Sequence, residues 1–157
     1  MRAVIASLSI ALLLSACGSG APPPAAPSAA SMQEATVRSG DATIRASVVP
    51  TTMLDERVAR GYGIERSDRT ALLLVSVRRG EEGRDTSLAA QVIAKASDLR
   101  GRAQLIEMRE LRSEGGLLDY VGTAQVDAPD TLRFDVQVTP EGGTASMMQF
   151  AREFHLR

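Results

Sequence analysis

The chain has 157 residues, with 18 basic and 19 acidic side chains, a net charge of −1 at pH 7, one histidine and one cysteine. A nucleic-acid binder would show a basic surplus, so this balance argues against that class. The single cysteine excludes a disulfide within one chain and a thiolate zinc site.

Residues 1–16 read as an export signal. Arg2 supplies a small positive region, Ala3 to Leu14 form an apolar core too short to span a bilayer, and small Ser15 and Ala16 precede Cys17. The order Leu14-Ser15-Ala16-Cys17 resembles the lipobox of bacterial lipoproteins. That resemblance implies cleavage before Cys17, a diacylglyceryl group on its thiol and an acyl group such as palmitate on the new amine. An ordinary buried thiol, or cleavage after Ala16 without lipid, are the alternatives. One acyl chain holds marginally, at about 0.8 kcal/mol per buried methylene, and two or three make the anchor effectively permanent. In such lipoproteins an aspartate after the cysteine retains the protein at the inner membrane. Gly18 instead implies the periplasmic face of the outer membrane, with the inner membrane as the alternative. Cleavage removes one basic residue and no acid, leaving 17 basic and 19 acidic groups and a net charge of −2.

Residues 17–32 form the lipidated cysteine and a linker. "GSGAPPPAAPSAAS" has no charge and nothing to pack, so it cannot offset its own ordering entropy. Pro22, Pro23, Pro24 and Pro27 stiffen it, and at about 3.1 Å per residue it reaches no more than roughly 40 Å. Residues 33–157 are enough for one domain with its own core.

"DATIRASVV" places Ala42, Ile44, Ala46 and Val48 on one strand face, against Thr43, Arg45 and Ser47. "PTTMLDERVARGYG" predicts one short helix, with Thr52 as N-cap, Asp55 three residues on, and Gly61 or Gly63 as the stop. "ALLLVSV", residues 71–77, is apolar on both faces at its start and is placed centrally in a sheet. "LAAQVIAKA" and "AQLIEMREL" contain good helix formers, but period-two apolar positions in the first and glycine-bounded spacing in the second predict one strand each. "LLDYVGTAQV" follows a Gly-Gly turn and reads as a strand, and "TLRFDVQV" alternates strictly, with Leu132, Phe134, Val136 and Val138 facing a core. In "ASMMQFAREFHL", His155 shares a face with Gln149, Ala151 and Glu153, opposite Met148, Phe150 and Phe154. Turn segments "RRGEEGRD", "SDLRGR", "RSEGG", "DAPD" and "TPEGG" separate successive strands. The fold class is therefore all-β: an immunoglobulin-like antiparallel β-sandwich with one short helix.

The segments "YGIERS", before an apolar strand, and "TLRFDVQVTP", before a glycine turn, resemble the domain-of-unknown-function family 4426 of bacterial envelope proteins, over about residues 36–155. The final strand departs from that family's phenylalanine-tyrosine pair, carrying Phe154-His155 instead. The resemblance supports the strand order and supplies no activity, cofactor or catalytic residue.

No catalytic motif is legible. His155 falls on a solvent face near the chain end, and neither a triad nor a metal motif surrounds it. Asp55-Glu56, Glu81-Glu82, Glu107, Glu110, Asp119 and Asp135 read as solvated. "GYG" lacks the strand and the long glycine pattern of a phosphate loop. Met147 and Met148 point to opposite faces, a poor thioether copper site. Tyr62 reads as core or as a recognition aromatic. Arg66, Ser67, Asp68 and Arg69 read as a solvated loop or as a contact patch for an envelope partner, which makes Tyr62, Arg66, Ser67 and Arg69 the candidate contacts. The leading functional reading is a non-catalytic binding or scaffold module. The alternatives are an envelope hydrolase using carboxylates and a carrier of a small apolar ligand; no cofactor or metal is expected.

Overall fold

A computed structural model describes residues 34–155, apart from positions 82 and 114. The signal segment, Cys17 and the linker lie outside the described residues.

The chain forms two antiparallel sheets. The first runs β1 (Glu34–Ser39), β2 (Ala42–Pro50), β3 (Thr70–Arg79), β8 (Leu118–Gln125), β7 (Arg109–Arg112), with the two-residue β4 (Thr86–Ser87) beside the end of β3. The second runs β10 (Ser146–Phe154), β9 (Asp130–Pro140), β5 (Ala90–Ser97), β6 (Ala103–Ile106). This is the expected sandwich, and β3 takes its expected central place between β2 and β8. The turn segments predicted from sequence fall at strand junctions. The alternation in β9 also holds: Leu132, Phe134, Val136 and Val138 are buried.

The core lies between the sheets. Ile44, Leu73, Val75 and Val77 from one sheet face Phe134, Val136, Val138 and Met148 from the other. Phe134 and Phe150 are direct cross-strand partners and stack with ring centroids 5.4 Å apart. Tyr120 joins the layers, its hydroxyl accepting a 2.6 Å hydrogen bond from the Ala90 N–H. Leu72 faces the other way from Leu73 yet is also buried. The 3-10 turn Thr51–Met53 folds against β3, which explains why this strand starts apolar on both faces.

Two expectations are corrected and one strand is added. The helix α1 is shorter than predicted, Glu56–Gly61, and its cap is Asp55, whose side chain accepts a 2.8 Å hydrogen bond from the Arg57 N–H. Thr52 lies instead in the 3-10 turn. Glu34–Ser39, which carried no strand expectation, pairs with β2 through a two-residue turn in which Gly40 takes φ +61°. The segment "AQLIEMREL" is two strands in two sheets: β6 pairs with β5 and β7 with β8.

One end of the sandwich gathers Glu34, the 51–69 connection, the 98–102 hairpin turn and the start of β9. Asp98 organises the hairpin there, accepting from the Arg100 N–H at 2.9 Å, the Arg102 N–H at 2.8 Å and Arg102 Nε at 2.6 Å. Burial acts to raise the Asp98 pKa, but the hydrogen bonds and charge of Arg102, with the Arg100 amide, outweigh it and hold the carboxyl below its usual value. A depressed carboxyl stabilises the fold fully above the unfolded pKa of about 3.9 and loses that contribution as pH falls through the lower folded value. The Tm advantage of the parent over Asp98→Asn is therefore expected to be constant from pH 7 to about 5 and to shrink below pH 4. Thermal melts across that range check it, and an advantage that grows on acidification would contradict it.

Candidate functional site

The change of sheet between β6 and β7 builds the most distinctive feature of the molecule. Glu107 and Met108 carry the chain from one layer to the other and cross over Gly122 of β8. A Cβ built on Gly122 would lie 2.6 Å from Ile106 Cγ2, 2.7 Å from the Glu107 carbonyl oxygen and 2.8 Å from Met108 Sδ. Only a residue without a side chain permits that approach.

Because β7 begins at Arg109, opposite Val121, the rest of β8 has no strand beside it on that flank. Gln104 takes over part of the strand's role. Its carboxamide oxygen accepts from the Gln125 N–H at 2.7 Å, and its Nε2 donates to the Gln125 carbonyl at 2.8 Å. Between this clamp and the start of β7 lies a groove of about 660 Å³. Gly63, Ile64 and Glu65 form one wall, Leu105, Glu107 and Arg109 the other, and Thr123 is among the residues lining it. Leu105 is 81% exposed. Arg109 reaches across to the opposite wall, its Nη2 lying 3.5 Å from the position of a Cβ on Gly63.

The Gly63 wall is rigidly held. Thr51, fully buried, accepts the Ser67 N–H on Oγ1 at 2.9 Å; the same oxygen lies 2.9 Å from the Ser67 carbonyl, 3.1 Å from the Thr70 carbonyl and 2.7 Å from Thr70 Oγ1. Arg66 donates from Nη2 to the Thr52 carbonyl at 2.7 Å, and Ser67 Oγ accepts from the Arg69 N–H at 3.1 Å.

The four loop residues singled out in the sequence therefore divide. Arg66 and Ser67 hold the loop to the 51–52 turn. Arg69 is exposed, with its backbone carbonyl accepting from Val126 N–H at 2.8 Å, and Tyr62 is half-buried at the end of α1. None of the four lines the groove, but their neighbours Gly63, Ile64 and Glu65 do. A single strand over residues 103–111 hides the other wall, Leu105 to Arg109, because its two halves belong to different sheets.

Two further surface depressions are each about 450 Å³. One lies at the Asp98 hairpin and includes Asp127, Asp130, Glu153 and His155; the other lies on β1–β3 and includes Arg38, Arg45 and Arg78. The carboxylates weighed for chemistry have structural partners at several positions. Asp119 pairs with Arg78, and Asp135 lies 3.4 Å from Lys95 Nζ and accepts from Gln149 Nε2 at 2.6 Å. His155 is exposed and 3.7 Å from Glu153. Among the described residues, no group of three His, Cys, Asp or Glu side chains is placed to hold a metal ion.

The family model described as a domain of unknown function, DUF4426, matches residues 36–156. A crystal structure of a DUF4426 family protein from Pseudomonas aeruginosa PAO1 has the same fold, with a TM-score of 0.65 and 26% sequence identity, covering 80% of this chain and 97% of that one. No curated protein matches the chain significantly.

Proposed function

The chain belongs to the DUF4426 family of domains of unknown function, and from that premise we propose that it is a non-catalytic binding module held at the bacterial envelope by lipid on Cys17. The observation that carries the reading is the groove beside Leu105. It is bounded by a loop braced through buried Thr51 and by a crossover locked over Gly122, so both walls are preorganised. An exposed leucine beside polar Thr123, Glu107 and Arg109 suits an envelope protein partner, with an apolar anchor and a polar rim. Tyr62 and Arg69 lie close to this wall in sequence and outside the groove's lining. The anchor keeps the domain within roughly 40 Å of the membrane, on the periplasmic side of the outer membrane.

Two measurements test this separately. Mass spectrometry of the mature protein is expected to show a diacylglyceryl thioether on Cys17, and Cys17→Ala is expected to release the protein from membranes. An unmodified thiol would sink the anchor. For the groove, a photocrosslinker at Ile64 and one at Leu105 are expected to capture the same envelope protein in living cells, while one at exposed Leu117 captures none of it. Leu105→Asp is expected to weaken that capture at Ile64 at least tenfold. Unchanged capture would remove the groove as the binding surface.

A further inference from the structure

The inward-facing positions of β10 are Ser146, Met148, Phe150, Arg152 and Phe154, read from their pairing with Val138, Val136, Phe134, Leu132 and Asp130 of β9. Three of these are apolar, Ser146 is small and polar, and the fifth is a cation. Arg152 Nε and Nη1 are shielded from solvent and have no hydrogen-bond partner; among the described residues they are the buried side-chain polar atoms in that condition. The loss of hydration depresses the affinity of this guanidinium for its proton. The residue as a whole is half-buried, but two of its three guanidinium nitrogens lie out of reach of solvent, and such donors are normally matched by a carboxylate or carbonyls because unpaired they forfeit their solvation. Here the cross-strand neighbour is Leu132. An inward charge does discourage edge-to-edge pairing of β10, yet that purpose does not require leaving its donors empty.

The surroundings say what is missing. β1 and β10 are edges of different sheets and touch each other without a shared ladder. Ser39 Oγ donates to the Thr144 carbonyl at 3.3 Å, so β1 ends where β10 begins and the two strands run in opposite directions. Arg152 therefore lies toward the end where β1 starts. Between these limits the seam is apolar: Ala35, Val37 and Phe150 are half-buried and packed against the core. From Ser146 to Arg152 the seam extends about 20 Å at 3.3 Å per residue. One leaflet of a ~30 Å hydrocarbon core is filled by acyl chains shorter than that.

We propose that the β1–β10 seam binds a long-chain carboxylate, a fatty acid, with its hydrocarbon along Val37 and Phe150 and its head group on Arg152. Arg152 is the one charged residue among the inward positions of β1 and β10. A single positive charge is balanced by a monoanion, whereas a phosphate dianion would bring excess negative charge into an apolar seam. The site lies on the flank opposite the Leu105 groove and does not depend on a protein partner there.

The test uses the full chain carrying Cys17→Ala, so that no acyl group of its own competes. Palmitate labelled with carbon-13 at its carboxyl group is followed by NMR and by thermal melting. Saturable binding that raises the Tm is expected, and hexadecanol, with the same chain and no charge, should bind at least tenfold more weakly. Arg152→Met should weaken palmitate binding at least tenfold while raising the Tm of the unliganded protein, which separates loss of the head-group contact from loss of the fold. If Arg152→Met does not fold, Arg152→Gln gives the same comparison. Equal affinity of either variant for palmitate, or no binding by the parent, overturns the proposal. Tighter binding of a lysophospholipid bearing a phosphate monoester overturns the carboxylate assignment.

Discussion

Gly122→Ala is expected to lower stability by about 3 kcal/mol, roughly 10 °C in Tm for a domain of this size, although it adds only one methyl group. The added methyl would sit within 2.8 Å of three atoms from the crossing segment. Met108 Sδ ends a flexible side chain and can move. The Glu107 carbonyl is backbone and can retreat only by lifting the crossover off β8. Ile106 Cγ2 belongs to a buried β-branched side chain with little rotamer freedom. Relief therefore strips β7 from β8, and hydrogen exchange should accelerate at Arg109–Arg112 before it does in β3. Met108→Ala in the same chain should recover part of the loss, since it removes one of the three clashes. Thr123→Ala, one position away and exposed, should change Tm by no more than a degree or two. A Gly122→Ala variant as stable as the parent would mean that the crossover does not lie where it is described.

Thr51→Val is expected to cost about 2 kcal/mol despite preserving the shape of the side chain. The residue is fully buried, and its hydroxyl is the acceptor for the Ser67 N–H. Valine leaves that donor without a partner and also strands the Thr70 hydroxyl on the same side. Leaving a buried donor unsatisfied costs more than the net value of the lost bond, because its hydration is not restored. The local effect should exceed the global one. Residues 63–67 should exchange their amides faster, and partner capture through Ile64 should fall with them. Thr51→Ser keeps the oxygen and loses one methyl, about 0.8 kcal/mol of burial. It should therefore retain the rigid loop. If Thr51→Ser and Thr51→Val behave alike, the hydroxyl does not brace the loop.

Much of the sandwich could be read from alternation alone, because each sheet has one face on the core and one toward water. β9 shows this best, with every second residue from Leu132 to Val138 buried. Alternation says nothing about which sheet a strand joins. Glu107 and Met108 carry neither glycine nor proline, and nothing local distinguishes two four-residue strands from one of nine. The usable signal lay elsewhere: an isolated glycine inside the apolar "YVGTA" run marks a close backbone approach. β1 leaves a faint pattern because it is six residues long and its face toward the core offers only Ala35 and Val37 as apolar residues. The helix cap fell three residues from its expected place because two threonines and an aspartate compete for the role within five residues. The aspartate won it, while Thr51 turned its hydroxyl to Ser67. For Arg152 the pattern was already complete, since the alternation that points Met148, Phe150 and Phe154 inward carries Arg152 with them. What periodicity could not convey is that no acceptor waits there.

The position of β1 also gives the domain a mechanical character. Any pull through the residues ahead of Glu34 reaches the fold at the Glu34↔Ser47 pair, at the tip of an edge strand laddered only to β2. Tension at such a tip parts the rungs one after another, toward Ser39↔Ala42, instead of shearing all of them together. β1 should therefore peel first, while β2, β3 and β8 remain zipped. Peeling moves the point where the load enters the fold from Glu34 to Ala42 and frees six residues to turn toward the pull. Under load β1 gives way before the body of the sandwich does, and the same peeling strips one wall from the strip along Phe150.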